Sequence, residues 1–95
     1  MTSKLNPRDQ ELIRIIGEVL HYIWDPIGVS GIPQARDEYD GYVGPLFTLV
    51  RSGAPDSDIS AHLENIATER MGLSSRKERS DEVAAILTDW RDYQS

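Results

Sequence analysis

Cysteine is absent from this 95-residue chain. That excludes a disulfide framework, a thiolate zinc site and a cysteine nucleophile. Histidine is nearly absent. With only His21 and His62, a three-histidine metal site is impossible, and no His-Glu-x-x-His pattern occurs. No apolar run approaches the roughly 20 residues needed to span a bilayer, so no membrane association is expected. Met1-Thr2-Ser3-Lys4-Leu5-Asn6-Pro7 lacks an apolar signal core, and a cytoplasmic setting is expected. Positive charge is also scarce: ten Lys and Arg stand against sixteen Asp and Glu, a net charge of −6.

The distribution of that charge says more than its size. Residues 1–20 balance, 21–60 carry two bases against six acids, and 61–95 carry five against seven. The largest excess therefore lies in the middle of the chain. A nucleic-acid-binding surface needs a basic stripe to displace counterions from phosphate. The basic cluster at Arg76, Lys77 and Arg79 is interleaved with Glu78, Asp81 and Glu82, so nucleic acid is not an expected partner.

What is present is amphipathic helix. The 39% hydrophobic and 27% charged content fits a soluble globular chain, and the length suits one domain spanning residues 1–95. Asn6 suits an N-cap, Pro7 the first helical position, and Asp9 and Glu11 the positive end of the helix dipole. Leu12, Ile16, Val19, Leu20 and Ile23 recur at helical spacing, predicting a helix over about 7–24. Gly17 inside it suggests the close approach of another backbone element. The helix should stop at Asp25, because the residue before a proline is pushed from the α region.

A loop follows, punctuated by Gly28, Ser30, Gly31 and Pro33. The second helix is expected from Asp37 or Glu38 to about Ser52, with Tyr39, Tyr42, Val43, Leu46, Leu49 and Val50 as its stripe. Pro45 implies either a kink or a later start. A third is expected over about 55–71, with Gly72 as its stop, and a fourth over about 77–93. In the fourth, Val83, Ile86, Leu87, Trp90 and Tyr93 form one apolar stripe. Short links at Gly53 and Gly72 favour antiparallel neighbours. The fold class expected is all-α, a compact domain of three to four helices with a long structured loop between the first two.

The densest concentration of chemistry lies between Trp24 and Asp40. Trp24, Asp25, Pro26, Asp37, Glu38, Tyr39 and Asp40 put four carboxylates and two aromatic rings at the two ends of the loop. Three readings apply. Asp25 suits a turn, Asp37 suits an N-cap, and Glu38 and Asp40 suit a first helical turn. The four carboxylates offer oxygen ligands to a hard cation, although the spacing matches no calcium loop. The same residues offer a docking surface, since Trp and Tyr are enriched at binding hot spots. For the two rings, mutual packing that clamps the loop is the simpler expectation. His21 and Asp25 have the spacing of an orienting dyad, but Ser30 and Ser52 lie in no nucleophile elbow. His62 stands four residues after Asp58, as in an ordinary surface pair. No catalytic, metal-binding or cofactor-binding residue is assigned, and no cofactor is expected.

Trp24-Asp25-Pro26 followed by Glu38-Tyr39-Asp40 resembles a family of small bacterial proteins known as a domain of unknown function. Its members run from an amphipathic helix through W-D-P and a glycine-bearing loop to E-Y-D and further helices. The resemblance covers roughly residues 10–70, and the two tripeptides are its specific part. It implies a compact helical fold and a bacterial, cytoplasmic setting, and it implies no activity.

The expected function is a non-enzymatic protein-interaction module, immunity- or antitoxin-like or an adaptor, whose acidic face meets a basic partner. One alternative is a metal- or small-ligand-binding domain using Asp25, Asp37, Glu38 and Asp40. Another is self-association, as the subunit of a structural homodimer.

Overall fold

The structure, a computed structural model, describes residues 6–25, 28, 31–32 and 39–94. Four helices make up the fold, with no strand among the described residues: α1 (Pro7–Val19), α2 (Asp40–Arg51), α3 (Asp56–Asn65) and α4 (Lys77–Gln94). Two of them widen into a single π-helical turn at their C-termini, α1 at Leu20–Trp24 and α3 at Ile66–Arg70. Each turn closes on a bond five residues back, Asp25 N–H to Leu20 and Met71 N–H to Ile66.

Local chemistry explains most of the helix ends. The Asn6 side chain accepts the Asp9 N–H at 2.8 Å, which starts α1. Gly53 at φ +91° and Gly72 at φ +68° follow the ends of α2 and the π turn of α3. An L side chain is strained in that left-handed region. Helix α2 begins at Asp40, later than Asp37 or Glu38, both of which lie outside the described residues. It continues through Pro45 to Arg51, so the later start near Pro45 does not occur. Proline leaves the Gly41 carbonyl without its helical donor, and Gly41 and Pro45 are both exposed to water.

Contacts between helices give the topology. Asp9 pairs with Arg51, and Gly17 lies opposite Val43, so α1 and α2 are antiparallel. Ser60 bonds Asp81, and Glu64 bonds Arg76 and Ser80, so α3 and α4 are antiparallel. Arg79 reaches Ile23 while Arg91 reaches Val50 and Ala54, which sets α4 antiparallel to α1. The four helices thus run up, down, up and down. Their radius of gyration is 13.0 Å, close to the ~12 Å of a compact chain this long.

The core is built from Leu12, Ile16 and Leu20 of α1, Leu46 and Val50 of α2, Ile59 and Leu63 of α3, and Val83 and Leu87 of α4. On α4 the buried stripe runs Ser80, Val83, Ala84, Leu87 and Thr88. That differs from the expected stripe of Val83, Ile86, Leu87, Trp90 and Tyr93. The small residues Ser80, Ala84 and Thr88 occupy buried positions on this helix, and Trp90 and Tyr93 are turned outward.

Candidate functional site

The loop between α1 and α2 is gripped at both ends. Trp24 and Tyr39 are each only 2% exposed, and their rings meet edge to face, with centroids 5.5 Å apart and planes at 63°. The Tyr39 hydroxyl donates to Oδ1 of Asp25 at 2.8 Å. Asp25 sits at φ +32°, ψ +62°, the one described non-glycine residue in the left-handed region. That conformation costs an L residue about 1–2 kcal/mol, and Asp tolerates it better than most. A proline follows, and it biases the residue before it toward extended backbone. Asp25 is therefore held against its local preference, and the bond from Tyr39 is the described contact that holds it.

A second hydrogen bond fixes this end of the bundle. Nη1 of Arg79, on α4, donates to the Ile23 carbonyl at 2.5 Å. The carbonyls at a helix C-terminus have no intrahelical donor, and a guanidinium there satisfies both the bond and the dipole. The opposite end repeats the device: Nη1 of Arg91 donates to Val50 at 3.3 Å and Ala54 at 2.8 Å, capping α2.

The start of α4 is capped from α3. Glu64 accepts from the Ser75 hydroxyl, the Arg76 N–H at 3.1 Å and the Ser80 hydroxyl at 2.7 Å. Burial pushes its carboxyl up, but these three bonds and the nearby Lys77 outweigh it. The net effect holds Glu64 below the ordinary carboxylate value. Asp81 accepts from the Ser60 hydroxyl at 2.5 Å and pairs with Lys77. Those bonds lower its pKa, the Ser60 hydroxyl most.

Of the residues singled out by sequence, the structure brings together Trp24, Asp25 and Tyr39 and leaves Asp40 exposed on the first turn of α2. Pro26, Asp37 and Glu38 lie outside the described residues. With 2% exposure each, the Trp24 and Tyr39 rings are not available to a partner; they serve as the clamp. Among the described residues, no three of His, Asp and Glu converge as metal ligands. His21 is 2% exposed, its Nδ1 has no hydrogen-bond partner, and it makes no bond to Asp25. Ser52 donates to the Leu49 carbonyl at the end of α2. No dyad or nucleophile is assembled from these described groups. His62 does not form the expected pair with Asp58. It is partly buried with Nε2 unpartnered, and burial, then Arg70, holds its pKa below the ordinary histidine value.

The feature that sequence reasoning missed lies at the other end of the bundle. On α4, Ile86, Asp89, Trp90 and Tyr93 line an open depression of about 440 Å³. Trp90 is 40% and Tyr93 81% exposed, and their rings meet edge to face at 5.8 Å and 86°. At 100° per residue this face is rotated by roughly 120° from the buried stripe. The signal was available: residues 80, 83, 84, 87, 88 and 91 already complete one side of a helix, leaving 86, 90 and 93 as a second.

No protein-family model, no curated protein and no solved structure matches the chain. No described helix is long and apolar enough to cross a membrane.

Proposed function

We propose that this is a non-enzymatic protein-interaction module of the bacterial cytoplasm, immunity- or antitoxin-like or an adaptor. The observation that carries the proposal is the pair of exposed aromatic rings, Trp90 and Tyr93, beside Ile86 on α4. Trp and Tyr supply large contact area at low entropic cost and dominate binding hot spots. Two exposed aromatic rings in contact, beside a partly buried Ile86, are the described feature best suited to such a contact. The net charge of −6 supports a basic partner, whose encounter it would accelerate. Of the acidic rim expected to meet a partner at Asp37, Glu38 and Asp40, the described residue Asp40 is exposed at the far end of the bundle from Trp90 and Tyr93.

Affinity capture from the cells of origin at low salt tests this reading. Wild-type protein is expected to retain a partner that Trp90→Ser/Tyr93→Ser loses, with the double variant keeping its helical circular dichroism. Capture of the same proteins by both, or of none by either, overturns it.

A further inference from the structure

We infer that the Ile86–Trp90–Tyr93 face receives a cationic amphipathic helix, an inference that rests on the reading of this face as a protein-docking surface. Asp89 lies within the depression beside Trp90 and Tyr93. Every other acid from Asp81 onward on α4 has a cation: Asp81 pairs with Lys77, Glu82 with Arg79 and Asp92 with Arg91. Asp89 makes no hydrogen bond or ion pair among the described residues. The one base in this half of the helix, Arg91, is turned away to the carbonyls of Val50 and Ala54. Among the described residues, the face therefore presents a carboxylate between apolar and aromatic side chains with no cation beside it.

That combination selects its occupant. A Lys or Arg can pair with Asp89 while lying against the Trp90 ring, and apolar residues three or four positions away on the same helix would cover Ile86 and Tyr93. A second copy docking through the same face brings another −6 charge and sets another unpaired Asp89 against the first, so the two faces repel. A small molecule is a poor fit, because every described residue lining the depression comes from one helix. Small-molecule sites instead bury most of their ligand.

The test uses three 16-residue helical peptides of identical apolar pattern whose polar positions are all Lys, all Gln or all Glu. Each is titrated into the ¹⁵N-labelled full chain, with the indole N–H signals of Trp90 and Trp24 assigned from Trp90→Phe. The Lys peptide is expected to shift the Trp90 indole and the amides of 86–93 while leaving Trp24 unmoved. It should bind at least about fivefold tighter than the Gln peptide, and Asp89→Asn should remove most of that preference, as expected for exposed charge pairs. Equal binding of all three peptides, or shifts centred on Asp40 instead, would overturn the cationic occupant. So would concentration-dependent dimerisation that Trp90→Ser abolishes, which would name a second copy. If capture still depends on Trp90 and Tyr93 when the Lys peptide fails, only this inference is lost; if both fail, the docking reading goes with it.

Discussion

The Tyr39 hydroxyl donates to Oδ1 of Asp25 at 2.8 Å, joining the residue that ends α1 to the residue that precedes α2. The bond does two things at once: it satisfies a phenol on a ring that is 2% exposed, and it holds Asp25 at φ +32°.

Separating those two contributions gives the first prediction. Tyr39→Phe removes only the hydroxyl and is expected to cost about 1.5–3 kcal/mol in urea unfolding, the range for a bond to a charged group. Asp25→Ala loses the same bond and keeps the left-handed strain. Asp25→Gly loses the bond but relieves that strain. The Gly variant should therefore be about 1 kcal/mol more stable than the Ala variant. Equal stability of the two would mean that the backbone is not held in the left-handed region.

Helix α4 caps two neighbours, Arg79 the end of α1 and Arg91 the end of α2. The two caps are twelve residues apart, about 18 Å along a helix. Arg79→Met and Arg91→Met keep the apolar stems and delete the donors. Each is expected to cost about 1–3 kcal/mol, and the double variant the sum to within about 0.5 kcal/mol. Chemical denaturation of the four proteins completes the cycle. A large coupling energy would show that the caps act through one shared element.

Acid should destabilise the fold in two stages. His62 has a folded pKa below its unfolded value near 6.5 because burial disfavours the imidazolium. The unfolded state then binds the proton first, so stability falls as pH drops through 6.5. Glu64 has a folded pKa below 4.5. Its contribution is complete above 4.5 and is lost as pH falls through the folded value. His62→Gln should flatten the first stage only, and Glu64→Gln the second only, in melting temperatures recorded from pH 7.5 to 3. A His62→Gln profile parallel to wild type between pH 7 and 5 would show that the imidazole is solvated.

What the sequence made legible is local. Asn6 and Pro7 at one helix start, and Gly53 and Gly72 after two helix ends, act through their own backbone and side chains, so their identities suffice. The four-helix all-α class follows from periodicity in the same way. The π turns at Leu20–Trp24 and Ile66–Arg70 were not legible, because an inserted residue is retained by what the widened turn packs against. The Glu64 cap joins positions up to sixteen residues apart, and no spacing rule marks it. The α4 stripe was misread because apolarity was weighed above size. Ser80, Ala84 and Thr88 are buried for being small, and the hydroxyls of Ser80 and Thr88 are satisfied by Glu64 and the Ala85 carbonyl. That same misreading hid the Trp90–Tyr93 face.

Gly17 shows where a residue invites an explanation that the packing does not supply. Its position inside α1 suggested that another backbone needed the space. A Cβ built there meets only Cγ2 of Val43, at 4.0 Å, an ordinary van der Waals distance. Its φ is not in the left-handed region, since the positive-φ glycines are Gly28, Gly53 and Gly72. Nothing in the packing therefore opposes a methyl group. Gly17→Ala should reduce the entropy of the unfolded chain and add contact with Val43, stabilising the fold by about 0.5–1 kcal/mol. Thermal and urea unfolding measure this directly. A Gly17→Ala variant less stable than wild type would mean that α1 and α2 approach more closely in solution than 4.0 Å allows.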